Sequence, residues 1–225
     1  MTPWILLDST QVPGNGGELR LYQRGDEFSI KIVGRGELMN SRVHGSEDAL
    51  AELTCARLVG KSNPRLLIGG LGMGFTLAAA LQHVGEQGQV VVAELVPAVV
   101  TWNRGPLGEH AGYPIKDPRV TVREGDVARI IKDEQRAFDA ILLDVDNGPE
   151  GLTRKKNDWL YSMNGLIAAY EALRPQGVLA VWSAGPAQDF LQRLKKVGFK
   201  VDEKRVRAYG KKGARHIIWF ARRGD

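Results

Sequence analysis

From Arg65 onward the chain alternates short, unbroken apolar runs with stretches of helical periodicity, and this pattern excludes most folds. Leu66-Leu67-Ile68 and Ala140-Ile141-Leu142-Leu143 are too short for buried helices and apolar on both faces, so they read as strands of a parallel sheet covered by helices. The spacing predicts strands over 65–68, 89–94, 119–123, 138–144 and 177–182. Helices are expected over 74–84, 96–104, 126–134, 161–173 and 186–197. A chain built this way is a doubly wound α/β protein.

Both flanks depart from that rhythm. Leu19, Leu21, Phe28, Ile30 and Ile32 alternate around the turn Arg24-Gly25-Asp26-Glu27, which predicts a β-hairpin, with Trp4 to Leu7 as one more short strand. Residues 1–45 then form a small N-terminal β-unit, and a helix capped by Ser46 opens the main domain, 46–225. At the other end, 200–207 and 214–221 are strands whose short connection makes them an antiparallel hairpin at one sheet edge.

The net charge of +5 is unevenly spread: residues 193–225 carry a net of +9, and the rest of the chain a net of −4. The basic stretch keeps an RNA substrate as an alternative, although lysines on an edge hairpin also block aggregation, and that reading is favoured. A single cysteine, Cys55, excludes an internal disulfide, and no leader or membrane-length apolar run is seen. These features predict a cytoplasmic location, no membrane association and, for Cys55, a buried structural thiol. The four histidines have no metal-ligand spacing, so no metal is expected.

Ligands in open α/β sheets bind beyond the carboxyl ends of the strands. After the first sheet strand comes Gly69-Gly70-Leu71-Gly72-Met73-Gly74, where Gly70, Gly72 and Gly74 let the backbone turn and approach a ligand. The second strand ends on Glu94, whose two oxygens suit the hydroxyls of a ribose in either a nicotinamide dinucleotide or an S-adenosylmethionine site. After the third strand, Asp126 either caps the next helix or, with the backbone of Val127, holds an adenine. After the fourth, Asp144-Val145-Asp146-Asn147 crowds two carboxylates and an amide at the end of a buried strand, an arrangement that favours a bound cation or a shared proton. The dinucleotide fingerprint fits poorly, because its third glycine falls on Phe75.

In this order the motifs, with the strand entry Asp117-Pro118-Arg119-Val120 and the segment Glu171-Ala172-Leu173-Arg174-Pro175, resemble class I S-adenosylmethionine-dependent methyltransferases. More narrowly, residues 18–185 are similar to the spermidine synthase-like branch. The resemblance implies a Rossmann-like, mostly parallel sheet, S-adenosylmethionine as cofactor, a small-molecule acceptor and a homodimer. It implies that Gly70, Gly72 and Gly74 approach the methionine part, Glu94 the ribose, and Asp126 with Val127 the adenine. Asp144 would lie near the sulfonium, Asp144 or Asp146 would serve as the base, and His44, Asn147 and Tyr161 would contact substrate. Two departures favour methyl transfer over aminopropyl transfer. The glycine-rich loop lacks the acid that polyamine synthases use for the amine end of decarboxylated S-adenosylmethionine, and their second loop Asp falls on Asn147 or Asp146. A non-catalytic nucleoside-binding protein is a further alternative.

Overall fold

The computed structural model describes residues 2–14, 16–145, 158–209 and 212–225. Its N-terminal part is an antiparallel four-stranded meander, β1 (Ile5–Gln11), β2 (Glu18–Arg24), β3 (Glu27–Ile32) and β4 (Gly36–Asn40). The expected hairpin is β2–β3. β4 escapes the sequence pattern because its residues are exposed or half-buried and carry no alternation.

After α1 (Gly45–Cys55) the chain builds β5 (Arg65–Gly69), α2 (Phe75–Leu81), β6 (Gln89–Glu94), α3 (Pro97–Arg104), β7 (Val120–Glu124), α4 (Val127–Asp133) and β8 (Phe138–Leu143). Then come α5 (Asp158–Tyr161), α6 (Met163–Ala172), β9 (Leu173–Ser183), α7 (Gln188–Val197), β10 (Lys200–Tyr209) and β11 (Lys212–Arg222). The seven-stranded sheet has the order β10-β11-β9-β8-β5-β6-β7. β5 to β9 pair in parallel, and β11 runs antiparallel to both β9 and β10. This is the expected doubly wound sheet with a terminal hairpin. The expected helix over 161–173 is divided: Tyr161 closes the short α5, and Ser162 caps α6 by accepting from the Gly165 amide.

Alternation along each strand sends side chains to two cores. Leu66, Ile68, Leu142, Ala180 and Ile218 face one side with α1, α2 and α3, whereas Leu67, Ile141, Leu143, Val181 and Trp219 face the other with α4, α6 and α7. Leu19, Leu21, Phe28, Ile30 and Ile32 of the small sheet belong to the first of these cores. A polar tie reinforces the junction, the Trp102 indole N–H donating to Asp8 at 2.7 Å.

The basic stretch falls on α7 and the edge strand β10, where Lys195, Lys196, Lys200, Lys204 and Arg205 are exposed. Asp202 on the same strand is paired with Arg57. Cys55 is half-buried, and burial pushes its thiol up to about 11. Among the described residues no helix is long and apolar enough to cross a membrane.

Candidate functional site

The chain builds β6 and β7 on one side of β5 and then β8 on the other, so β5 and β8 flank the point where strand order reverses. A cavity of about 460 Å³ opens there, beyond the carboxyl ends of the parallel strands. Its lining follows the sheet: Asp126 after β7, Glu94 at the end of β6, Gly70 after β5, Asp144 after β8, Trp182 in β9 and His216 in β11. Ser46 and Glu47 at the start of α1 close one side, and Ile30, Ile32 and Met39 of the small sheet form an apolar wall.

The glycine-rich loop is shaped by what it touches. Gly70 has φ of 92°, and a Cβ there would collide with the Asp144 carbonyl oxygen, so only glycine lets β5 and β8 open side by side. Gly74 has φ of 86°, and its Cβ would sit 2.9 Å from Oδ1 of the buried Asn103. Asn103 in turn donates through Nδ2 to the Gly72 carbonyl at 2.8 Å, tying α3 to the loop.

Glu94 is 7% exposed. Its Oε2 accepts from the Leu71 amide at 2.9 Å and its Oε1 from the Val96 amide at 2.8 Å. Burial pushes its pKa up, and these backbone donors oppose the shift. The carboxylate therefore holds the loop to the β6–α3 turn while lining the cavity. Asp126 does what its cap position predicts, accepting from the Ala128 amide at 2.9 Å, and it also faces the cavity. Val127 lies beside it, buried and in the lining.

Asp144 accepts from the Thr76 hydroxyl at 2.7 Å. Burial, with the nearby charge of Glu47 adding to it, pushes its pKa up to about 7. The Glu47 pKa is also raised by burial, although its carboxylate accepts from the Ser46 hydroxyl at 2.7 Å. Five acids line the cavity, Glu37, Glu47, Glu94, Asp126 and Asp144, and no lysine or arginine does so among the described residues.

Gly70 and Gly72 line the cavity, whereas the expected Gly74, His44 and Tyr161 do not, Gly74 packing against Asn103 and Pro114. His44 stacks on Phe75 with ring centroids 4.1 Å apart and meets Asp48 through Nδ1 at 2.7 Å. It adjoins the lining residues Val43 and Ser46 but is not itself in the wall. Tyr161 is 3% exposed, packs edge-on against Phe190 in the opposite core, and donates to the Val145 carbonyl at 3.3 Å. Asp146 and Asn147 lie outside the described residues.

The family model of the spermine/spermidine synthase domain matches residues 53–206, which spans all the strand ends just described except His216 and the small sheet. The chain belongs to the spermine/spermidine synthase family. No curated protein sequence matches it. Among solved structures, spermidine synthase from Thermotoga maritima is similar at 19% identity and a TM-score of 0.76, over 97% of this chain and 73% of that one. A spermidine synthase in complex with the transition state analogue AdoDATO gives the same identity and TM-score, over 97% and 72%. The O-methyltransferase TomG from Streptomyces achromogenes, in complex with SAM, is 17% identical with a TM-score of 0.57, over 80% of each chain. These likenesses establish the Rossmann-like fold of this family member.

Glu47, Trp182 and His216 were not legible as site residues. An acid in the first turn of a helix reads as a complement to the helix dipole, and an aromatic in a strand reads as core. The one available signal was position, since Trp182 follows the apolar run of β9 where strand ends gather.

Proposed function

We propose that this family member is a methyltransferase that takes its methyl group from S-adenosylmethionine and passes it to a small amine. The observation that carries this reading is the glycine-rich loop, whose residues 70–73 line the cavity without a carboxylate and so offer no acid to pair with the amine of a decarboxylated donor. The cavity fits the donor in other respects. Its volume lies within the range of roughly 300–1,000 Å³ usual for small-molecule sites. Acidic walls, with no lysine or arginine among the described residues, suit a sulfonium. Glu94 would hold the ribose, Asp126 and Val127 the adenine, and the loop glycines the methionine part.

When bound, S-adenosylmethionine supplies an activated methyl group: the acceptor nitrogen forms the new N–C bond, and the electron pair of the broken C–S bond stays on sulfur. The protein aligns the reactants and manages one proton. Asp144, poised near neutrality and fixed by Thr76, takes that proton from the acceptor nitrogen. Glu47 adds negative potential that draws the ammonium form of the acceptor into the site.

Aminopropyl transfer from decarboxylated S-adenosylmethionine is the second reading, supported by family membership and by the lack, among the described residues, of a lysine or arginine in the lining to meet a donor carboxylate. The two differ in donor and by-product. Calorimetry with S-adenosylmethionine, its decarboxylated form and NAD, followed by chromatography of the nucleoside released in turnover, separates them. S-adenosylhomocysteine is expected, methylthioadenosine would establish the second reading, and binding of NAD alone would eliminate both.

A further inference from the structure

Among the described residues, no lysine or arginine of the last two strands lines the cavity. Yet from Lys204 to Gly224 the chain carries eight lysines and arginines and no acid. β10 is the outermost strand of the large sheet, paired with β11 from Lys200 opposite Arg222 to Tyr209 opposite Lys212. Val206 packs on the first core and Val201 on the second, so alternation puts Lys200 and Lys204 on one face of this edge and Arg205 and Arg207 on the other. Lys200, Lys204 and Arg205 are exposed and Arg207 is half-buried. Of the acids on β10, Asp202 pairs with Arg57, and Glu203 reaches Arg205 only at 3.9 Å.

Like charges also face each other within the hairpin. Lys200 stands opposite Arg222, and Arg207 opposite Arg215. Such pairs on neighbouring strands are destabilising. Keeping an edge from pairing with other chains calls for cations on the outermost strand alone. Arg215 and Arg222 stand instead on β11, an interior strand, and both are exposed. Charge doubled in this way is unfavourable until anions gather beside it. From position 200 to position 207 the strand runs about 23 Å, a length that suits an extended polyanion better than one small anion. A lipid surface would want apolar side chains among the cations, and none of the large apolar residues exposed among the described residues lies in 193–225. A nucleic-acid duplex carries each strand's phosphates to its far side within half a turn, about 17 Å. A single strand can follow the whole line.

We propose that the β10–β11 edge is a docking surface for a single-stranded nucleic acid, held through its phosphates without selection among bases. The surface is independent of the transferase reading, since none of these cations lines the cavity. Fluorescence anisotropy of the full chain with a labelled single-stranded RNA tests it, with a duplex DNA and phosphatidylserine vesicles as comparison probes. Contacts to four phosphates would weaken binding of the single strand about fiftyfold between about 50 and 200 mM salt. Arg207→Gln with Arg215→Gln removes one opposed pair, and Lys200→Gln with Arg222→Gln removes the other. Each double variant should lose about tenfold in affinity at low salt and flatten the slope of log Kd against log salt by about 1.4. Both should melt no lower than the wild type, because the charges removed opposed each other. No binding of the single strand at low salt, tighter binding to the duplex or the vesicles, or affinity and slope unmoved in both variants would overturn the proposal. Donor binding, followed by calorimetry, should be the same in wild type and variants, so a donor that fails to bind at all would sink the transferase reading alone.

Discussion

Glu47 penalises the charge of Asp144 inside a cavity where burial already disfavours the charged form of both. If Asp144 is the base, the rate should climb as pH rises through about 7, where its carboxyl ionises. Glu47→Gln removes the charge that helps hold that value up, so the rise should move to lower pH, read as the midpoint of log kcat/KM against pH. An unmoved midpoint would show that Glu47 does not act on the base. The same shift bears on stability. Because the folded-state pKa is raised, between about pH 4 and about pH 7 the unfolded chain has released a proton that the folded chain keeps, so stability falls as pH rises through that window. Asp144→Asn should remove this slope. The variant is expected to melt higher than the wild type above pH 7, by on the order of a few kcal/mol, and to match it near pH 4. Loss of turnover with donor binding retained would accompany that gain.

The glycine-rich loop works as an element because three others hold it: β6 through Glu94, α3 through Asn103 and β8 through the close approach at Gly70. Glu94→Gln turns an acceptor into a donor facing a backbone amide. It should cost about 1–3 kcal/mol and weaken donor binding in parallel, which melting curves and calorimetry would show. A stability loss with unchanged donor affinity would mean that Glu94 serves the loop alone. β5, β6 and β8 were legible because residues such as Leu66, Val92 and Leu142 are apolar on both faces, a signature local sequence carries by itself. β4 was not, since Met39 gains meaning only from its partner Ile30 on β3 and from Gly72 of the loop it covers. In the site, Glu94 and Asp126 were legible by position at strand ends. The pairing of Glu47 with Asp144 was not, because it joins the start of a helix to a strand far along the chain, and nothing local records that approach.

At the scale of the molecule, the small sheet and the large one share a core. Leu21 and Ile30 pack in the same cluster as Leu66 and Phe220. The chain should therefore unfold in one transition, with tryptophan fluorescence and far-ultraviolet dichroism giving coincident curves, and two separate transitions would contradict the shared core. The order of the large sheet has one more effect. β11 is made after β10 yet lies between β10 and β9, so an interior strand follows its own edge strand in synthesis. Until β11 arrives, β9 presents a bare, apolar row of amides and carbonyls, and β10 has nothing to join. The part of the cavity lined by Trp182 and His216 is thus the last to be completed, and a nascent or refolding chain is most exposed to strand capture by its neighbours just before that wall closes.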